Sequence, residues 1–131
     1  MTTTAAASGT CRHTGTYPAE PRQVGIARAA LAGWLGGGPQ AAGAILVASE
    51  FATNSVLHSS SRHGGAFTLR AEVSRDRLRI EVEDGGGPWR NEPRDDGRPH
   101  GFDVVAAIAG AGNWGVDGDA RGLVAWARLG K

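Results

Sequence analysis

Between positions 66 and 83 apolar and polar residues alternate. Phe67, Leu69, Ala71 and Val73 are interleaved with Thr68, Arg70 and Glu72, and Leu78, Ile80 and Val82 with Arg77, Arg79, Glu81 and Glu83. Successive side chains of a strand point to opposite faces. The pattern therefore predicts two strands, 66–73 and 77–83, joined at Ser74-Arg75-Asp76 as an antiparallel hairpin with one buried and one wet face. A second pair is predicted at 113–117 and 122–129, where Leu123, Ala125, Ala127 and Leu129 share a face and Gly118-Asp119 makes the turn.

Elsewhere the period lengthens to that of a helix. Val24, Ala27, Arg28, Leu31 and Leu35 predict a helix from about Glu20 to Leu35, started by Pro18 and Pro21 and stopped by Gly36-Gly37-Gly38. Ile45, Ala48, Ala52 and Val56 predict a second, from about Pro39 to His58, and a short apolar helix is predicted from Gly101 to about Gly110. Ser59 to Gly65 and Asp84 to His100 have no apolar period and read as loops. Thr16-Tyr17-Pro18 reads as a short edge strand, and residues 1–15, rich in Thr, Ala, Ser and Gly, as a mobile tail. The order helix, helix, hairpin, loop, helix, hairpin predicts an α/β fold, a two-layer sandwich of helices on a mixed or antiparallel sheet. One domain is expected, at 16–131, since 131 residues suffice for a single core.

Composition excludes several chemistries. The net charge is +1, so no broad basic field exists for nucleic acid. The only lysine is Lys131, which leaves none for a P-loop or an interior Schiff base. A single cysteine, Cys11, fits a reducing compartment, and no run is apolar enough for a membrane span or signal peptide. A soluble cytoplasmic protein is expected. The histidines form no metal-binding spacing, and no Gly-x-Ser-x-Gly elbow accompanies Ser59–Ser61. Gly110 to Gly115 matches Gly-x-Gly-x-x-Gly, but a helix precedes it and a strand follows, the reverse of a dinucleotide fingerprint.

Three places offer binding chemistry. Glu50 and Asn54 are four residues apart on one helix face, an oxygen-rich patch able to hold a hard cation such as Mg2+ or to orient a hydroxyl. The same pair is also an ordinary solvated face. Asp84 ends a strand before Gly85-Gly86-Gly87. Its carboxylate can accept from an exocyclic amine such as that of adenine, with glycines giving a flat ring access, or it simply ends the strand in a turn. Gly101 opens a helix whose free N–H groups suit phosphates, or it is a plain helix start.

Taken in order, Glu50-x-x-x-Asn54, Asp84-x-Gly86, Gly101-Phe102-x-Val104-Val105, Trp114-Gly115-Val116 and Gly122-x-x-x-Trp126-Ala127-Arg128-Leu129 resemble the histidine-kinase-like (GHKL) ATPases. More narrowly, with Tyr17-Pro18-Ala19-Glu20-Pro21 and Ser49 to Ser59, they resemble the short anti-sigma-factor serine kinases of actinobacteria. The resemblance covers about residues 16–130. It implies a Bergerat-type ATP site in which Asn54 ligates Mg2+, Glu50 is the general base, Asp84 binds the adenine amine and Gly86 gives the ring room. Residues 87–100 would be a lid, and Gly101 and Phe102 would begin the phosphate cradle. It implies ATP-dependent phosphorylation of an anti-anti-sigma (STAS-type) protein on serine and sequestration of a sigma factor, in a family that often forms homodimers. No direct nucleic-acid or membrane partner is implied. Two departures stand out: Pro99 replaces a glycine of the lid motif, and a family threonine near the adenine aligns with Val124. The alternatives are a non-catalytic partner-binding module and a free-standing ATPase.

Overall fold

The alternating stretch forms the centre of a sheet in a computed structural model of the chain, which describes residues 4–5, 10–58, 64–85, 101–119 and 122–130. The elements are β1 (Thr4–Ala5), β2 (Cys11–Pro18), α1 (Pro21–Leu35), α2 (Ala41–His58), β3 (Ala66–Val73), β4 (Arg77–Asp84), α3 (Gly101–Ala109), β5 (Trp114–Asp119) and β6 (Gly122–Gly130). The six strands lie in the order β1-β2-β3-β4-β6-β5, every neighbouring pair antiparallel. The helices cover one face, which makes the predicted two-layer α/β sandwich, with an antiparallel rather than a mixed sheet.

The core lies between the layers. Phe67, Leu69 and Ala71 of β3, Leu78, Ile80 and Val82 of β4, and Ala125, Ala127 and Leu129 of β6 point inward. They meet Ala27 and Leu31 of α1, Ala44, Val47, Ala48, Phe51 and Ala52 of α2, and Phe102 and Val105 of α3. Pro21 begins α1 after Glu20, and the Gly36 N–H closes the helix on the Ala32 carbonyl.

The opposite face is charged and cross-linked. Arg12 of β2 meets Glu72 of β3 at 2.9 Å, Arg70 meets Glu81 at 3.0 Å and Glu83 at 2.6 Å, and Arg79 meets Glu81 at 2.6 Å. The guanidinium groups of Arg79 and Arg128 both lie over the Trp126 indole, 4.8 and 5.2 Å from the ring centre. Its edge lies over Gly115.

Three expectations need correction. The strand before α1 is not confined to Thr16–Pro18: it begins at Cys11, so residues 11–15 belong to the sheet rather than to a tail. Its inward positions are Cys11, His13, Gly15 and Tyr17, and the His13 ring fills its place by stacking on Trp34 of α1 at 5.4 Å. That strand is no edge at its Cys11 end, where β1 pairs with it. The last hairpin does not turn at Gly118-Asp119 as predicted, because Gly118 and Asp119 remain paired with Leu123 and Gly122. Gly118 does so with φ of 112°, a conformation that a side chain would strain. The Gly110–Gly115 stretch is a helix stop and turn, as read: α3 ends at Ala109 and Asn113 N–H bonds to the Gly110 carbonyl at 3.1 Å.

Candidate functional site

Helix α2 has two working faces. Ala44, Val47, Ala48, Phe51, Ala52 and Ser55 recur at helix spacing and are buried. Gly43, Val47, Glu50 and Asn54 recur at the same spacing on its flank, with Glu50 and Asn54 half-buried. Gly43 identifies what that flank faces. A Cβ there would come within 3.0 Å of Ile108 of α3 and 3.4 Å of Leu129 of β6. The missing side chain lets α3 close on α2.

Further along, the ring of Phe51 meets Phe102 edge-on at 6.5 Å. Gly43 lies against the C-terminal part of α3 and Phe51 against its start, so the two helices run antiparallel. The N-terminus of α3, Gly101, therefore comes beside the turn of α2 that holds Glu50 and Asn54. Backbone N–H groups at such a terminus have no partner within the helix and carry partial positive charge.

Asp84 reaches the same end of the sandwich from the sheet. It is the last residue of β4, is 6% exposed, and pairs in register with Leu123 of β6. Ser55, adjacent to Asn54 and fully buried, donates its hydroxyl to Asp84 Oδ2 at 2.6 Å. A hydrogen bond to a carboxylate is worth about 1.5–3 kcal/mol, and an ionised carboxylate this buried needs such donors. Three of the predicted places, Glu50–Asn54, Asp84 and Gly101, are thus brought together by two contacts, Ser55 with Asp84 and Phe51 with Phe102.

Other predicted positions fall differently. The Phe102 ring is 7% exposed, stacks on Trp114 at 5.5 Å and belongs to the core, so its backbone N–H, not its side chain, is what it can offer a phosphate. Val124 projects to the outer, charged face of the sheet. The residue on the Asp84 side is Leu123, one position earlier, since a shift of one residue reverses the face of a strand. Gly86, the lid 87–100 with Pro99, and Ser59–Ser61 lie outside the described residues, as does the side chain of His58.

Ser55 was not singled out by sequence reasoning. Its signal was present: a polar residue at a position where the spacing of Val47, Ala48, Phe51 and Ala52 demands an apolar one. A shallow groove of about 280 Å³ runs between α1 and α2, lined by Arg28, Ser49, Thr53 and Leu57 among others. Among the described residues no group of three His, Cys, Asp or Glu could enclose a metal ion, and no helix is long and apolar enough to cross a membrane. A cation placed at Asn54 would take its other oxygens from phosphates and water, as Mg2+ commonly does.

Comparison with known proteins bears on the fold and the family. The crystal structure of the RsbU and RsbW domains of Rv1364c from Mycobacterium tuberculosis superposes with a TM-score of 0.70 at 22% identity. The match covers 90% of this chain and 32% of that one, so the chain spans about a third of the length of that solved protein. This likeness shows the fold. No curated protein matches the sequence. Residues 17–121 match the histidine kinase-like ATPase domain, a family whose members bind ATP, and over that span the chain belongs to it.

Proposed function

We propose that the chain is an ATP-dependent protein serine kinase that acts as an anti-sigma factor and phosphorylates an anti-anti-sigma protein of the STAS type on serine. The observation that carries this reading is the convergence of Glu50–Asn54, Asp84 and the α3 N-terminus through the Ser55–Asp84 hydrogen bond. Asp84 accepts a hydrogen bond from the exocyclic amine of adenine. The N–H groups from Gly101 and Phe102 onward receive phosphate oxygens, and Gly86 leaves space for the ring. Asn54 holds Mg2+, which neutralises phosphate charge when bound. Glu50 takes the proton from the partner's serine hydroxyl as that oxygen bonds to the γ-phosphorus and the bond to the ADP oxygen breaks. Phosphoryl transfer asks a protein mainly for positioning and charge stabilisation, which this set supplies without a lysine. The sequence resemblance to the anti-sigma-factor serine kinases supports the regulatory part of the reading, with a sigma factor as the second partner.

The test is transfer of labelled γ-phosphate from Mg-ATP to a panel of STAS proteins, with Glu50→Ala and Asp84→Asn as controls. Transfer abolished by Glu50→Ala is expected, with ATP binding weakened about 1–3 kcal/mol by Asp84→Asn. Transfer to no STAS protein, with Glu50→Ala indistinguishable from wild type, refutes the kinase reading. A second reading, a partner-binding regulator with weak or no ATP binding, is favoured by Leu123, which brings no hydroxyl to the sheet position paired with Asp84. Tight partner binding indifferent to ATP, with no Mg-ATP stabilisation in a thermal melt, would establish it.

A further inference from the structure

We infer that Ser55 is a positioning residue that sets the preference for a 6-amino over a 6-oxo purine. The inference rests on the reading that Asp84 meets the base. Three observations carry it. Ser55 is fully buried on the core stripe of α2, where a polar side chain is retained only with a partner. That partner is the carboxylate itself, Oγ to Oδ2 at 2.6 Å. Asp84 is 6% exposed at a strand end, so water alone does not solvate its charge.

A hydroxyl that donates to one carboxylate oxygen does two things. It satisfies one lone pair of a buried group, and it fixes the plane of that group. An ionised carboxylate only accepts hydrogen bonds, and its two oxygens have several lone-pair positions, so accepting from Ser55 leaves it able to accept from a ligand. A 6-amino purine presents a donor and is accepted. A 6-oxo purine presents an acceptor there, and two acceptors in contact repel. Without the Ser55 hydroxyl, the carboxylate can turn to meet the N1–H of the 6-oxo ring. Discrimination then narrows. A residue that merely packed would change the affinity for both bases alike.

The experiment measures Mg2+-supported binding of ATP and of inosine triphosphate by calorimetry to the full chain and to Ser55→Ala, Ser55→Cys and Ser55→Thr. Removing a hydrogen bond to a charged group is expected to weaken ATP binding roughly ten- to a hundredfold in Ser55→Ala. The ATP-to-inosine-triphosphate ratio should fall with it. Thr, which keeps the hydroxyl, should stay near wild type, with Cys between. The graded series keeps the test decisive should one variant fail to fold. In an Asp84→Asn background, Ser55→Ala should have little further effect on the ratio, because the two residues act through one group.

An unchanged ratio in Ser55→Ala, whether ATP affinity holds or falls, overturns the inference, and Asp84→Asn weakening ATP in the same series leaves the adenine reading standing. If Asp84→Asn leaves ATP affinity unchanged, both the inference and that reading fall.

Discussion

The joint between α2 and α3 is tested most directly at Phe51. Its side chain is wholly buried, sits between Glu50 and Asn54 in sequence, and meets Phe102 edge-on at 6.5 Å. Truncation of a buried phenylalanine to alanine costs about 3–5 kcal/mol, through lost burial and the cavity left behind. The ring pair accounts for roughly 0.5–1.5 kcal/mol of that. Against a total stability of about 5–15 kcal/mol for a domain, Phe51→Ala should leave the fold marginal. In urea unfolding followed by circular dichroism, the midpoint should fall by roughly 2 M, taking a slope of about 2 kcal/mol per M. Phe51→Leu keeps most of the volume and loses the ring contact, so it should cost about 1 kcal/mol. A loss under about 1 kcal/mol for Phe51→Ala would refute the reasoning, since no residue so placed could then be holding the two helices together.

Two further predictions concern the sheet. Burial alone would raise the Glu81 carboxyl pKa, but hydrogen bonds and charge from Arg79 and Arg70 outweigh it and hold the group below its usual 4.5. A carboxyl depressed in the folded state stabilises the fold above its unfolded pKa. That contribution fades as pH falls from about 5 through the lower folded value, so Glu81→Gln should flatten this part of the acid limb in urea midpoints. At Gly118, with φ of 112°, a Cβ would lie 2.1 Å from the Gly122 carbonyl oxygen, whereas one at Gly122 would meet nothing nearer than 3.7 Å. Gly118→Ala should therefore cost about 1–3 kcal/mol in the same assay and Gly122→Ala under about 1. Equal costs would show that the backbone there is not constrained.

Where sequence was legible, one physical rule dominated the local pattern. Strands β3 and β4 were readable because every inward position up to Val82 is apolar and nearly every outward one polar. β2 was not, because its inward side carries Cys11, His13, Gly15 and Tyr17. Their burial depends on partners far along the chain, such as Trp34 beneath His13. Helix α2 was readable in extent, yet its second role was hidden. The periodicity that marks Ser55 as buried does not say that its partner is Asp84, 29 residues away. Val124 and Leu123 show the same limit at a strand: an alignment slip of one residue is small in sequence and reverses the side chain in space. Glu50, Asn54 and Asp84 could be picked out as candidates from residue type and spacing. Their meeting at one end of the sandwich depended on the packing of α3, which Gly43 permits without announcing it.

The charged exterior of the sheet has a bearing on how the protein meets polyanions. Four of its guanidinium groups are matched at home: Arg12, Arg70 and Arg79 each face a glutamate, and Arg128 donates to the Gly112 carbonyl at 3.1 Å while capping an indole. To a visiting nucleic acid such a surface presents a mosaic of cancelled dipoles, not a rail of free cations. Under the proposed reading, a triphosphate would therefore be drawn to the opposite layer, where the start of α3 carries the partial positive charge of aligned peptide dipoles.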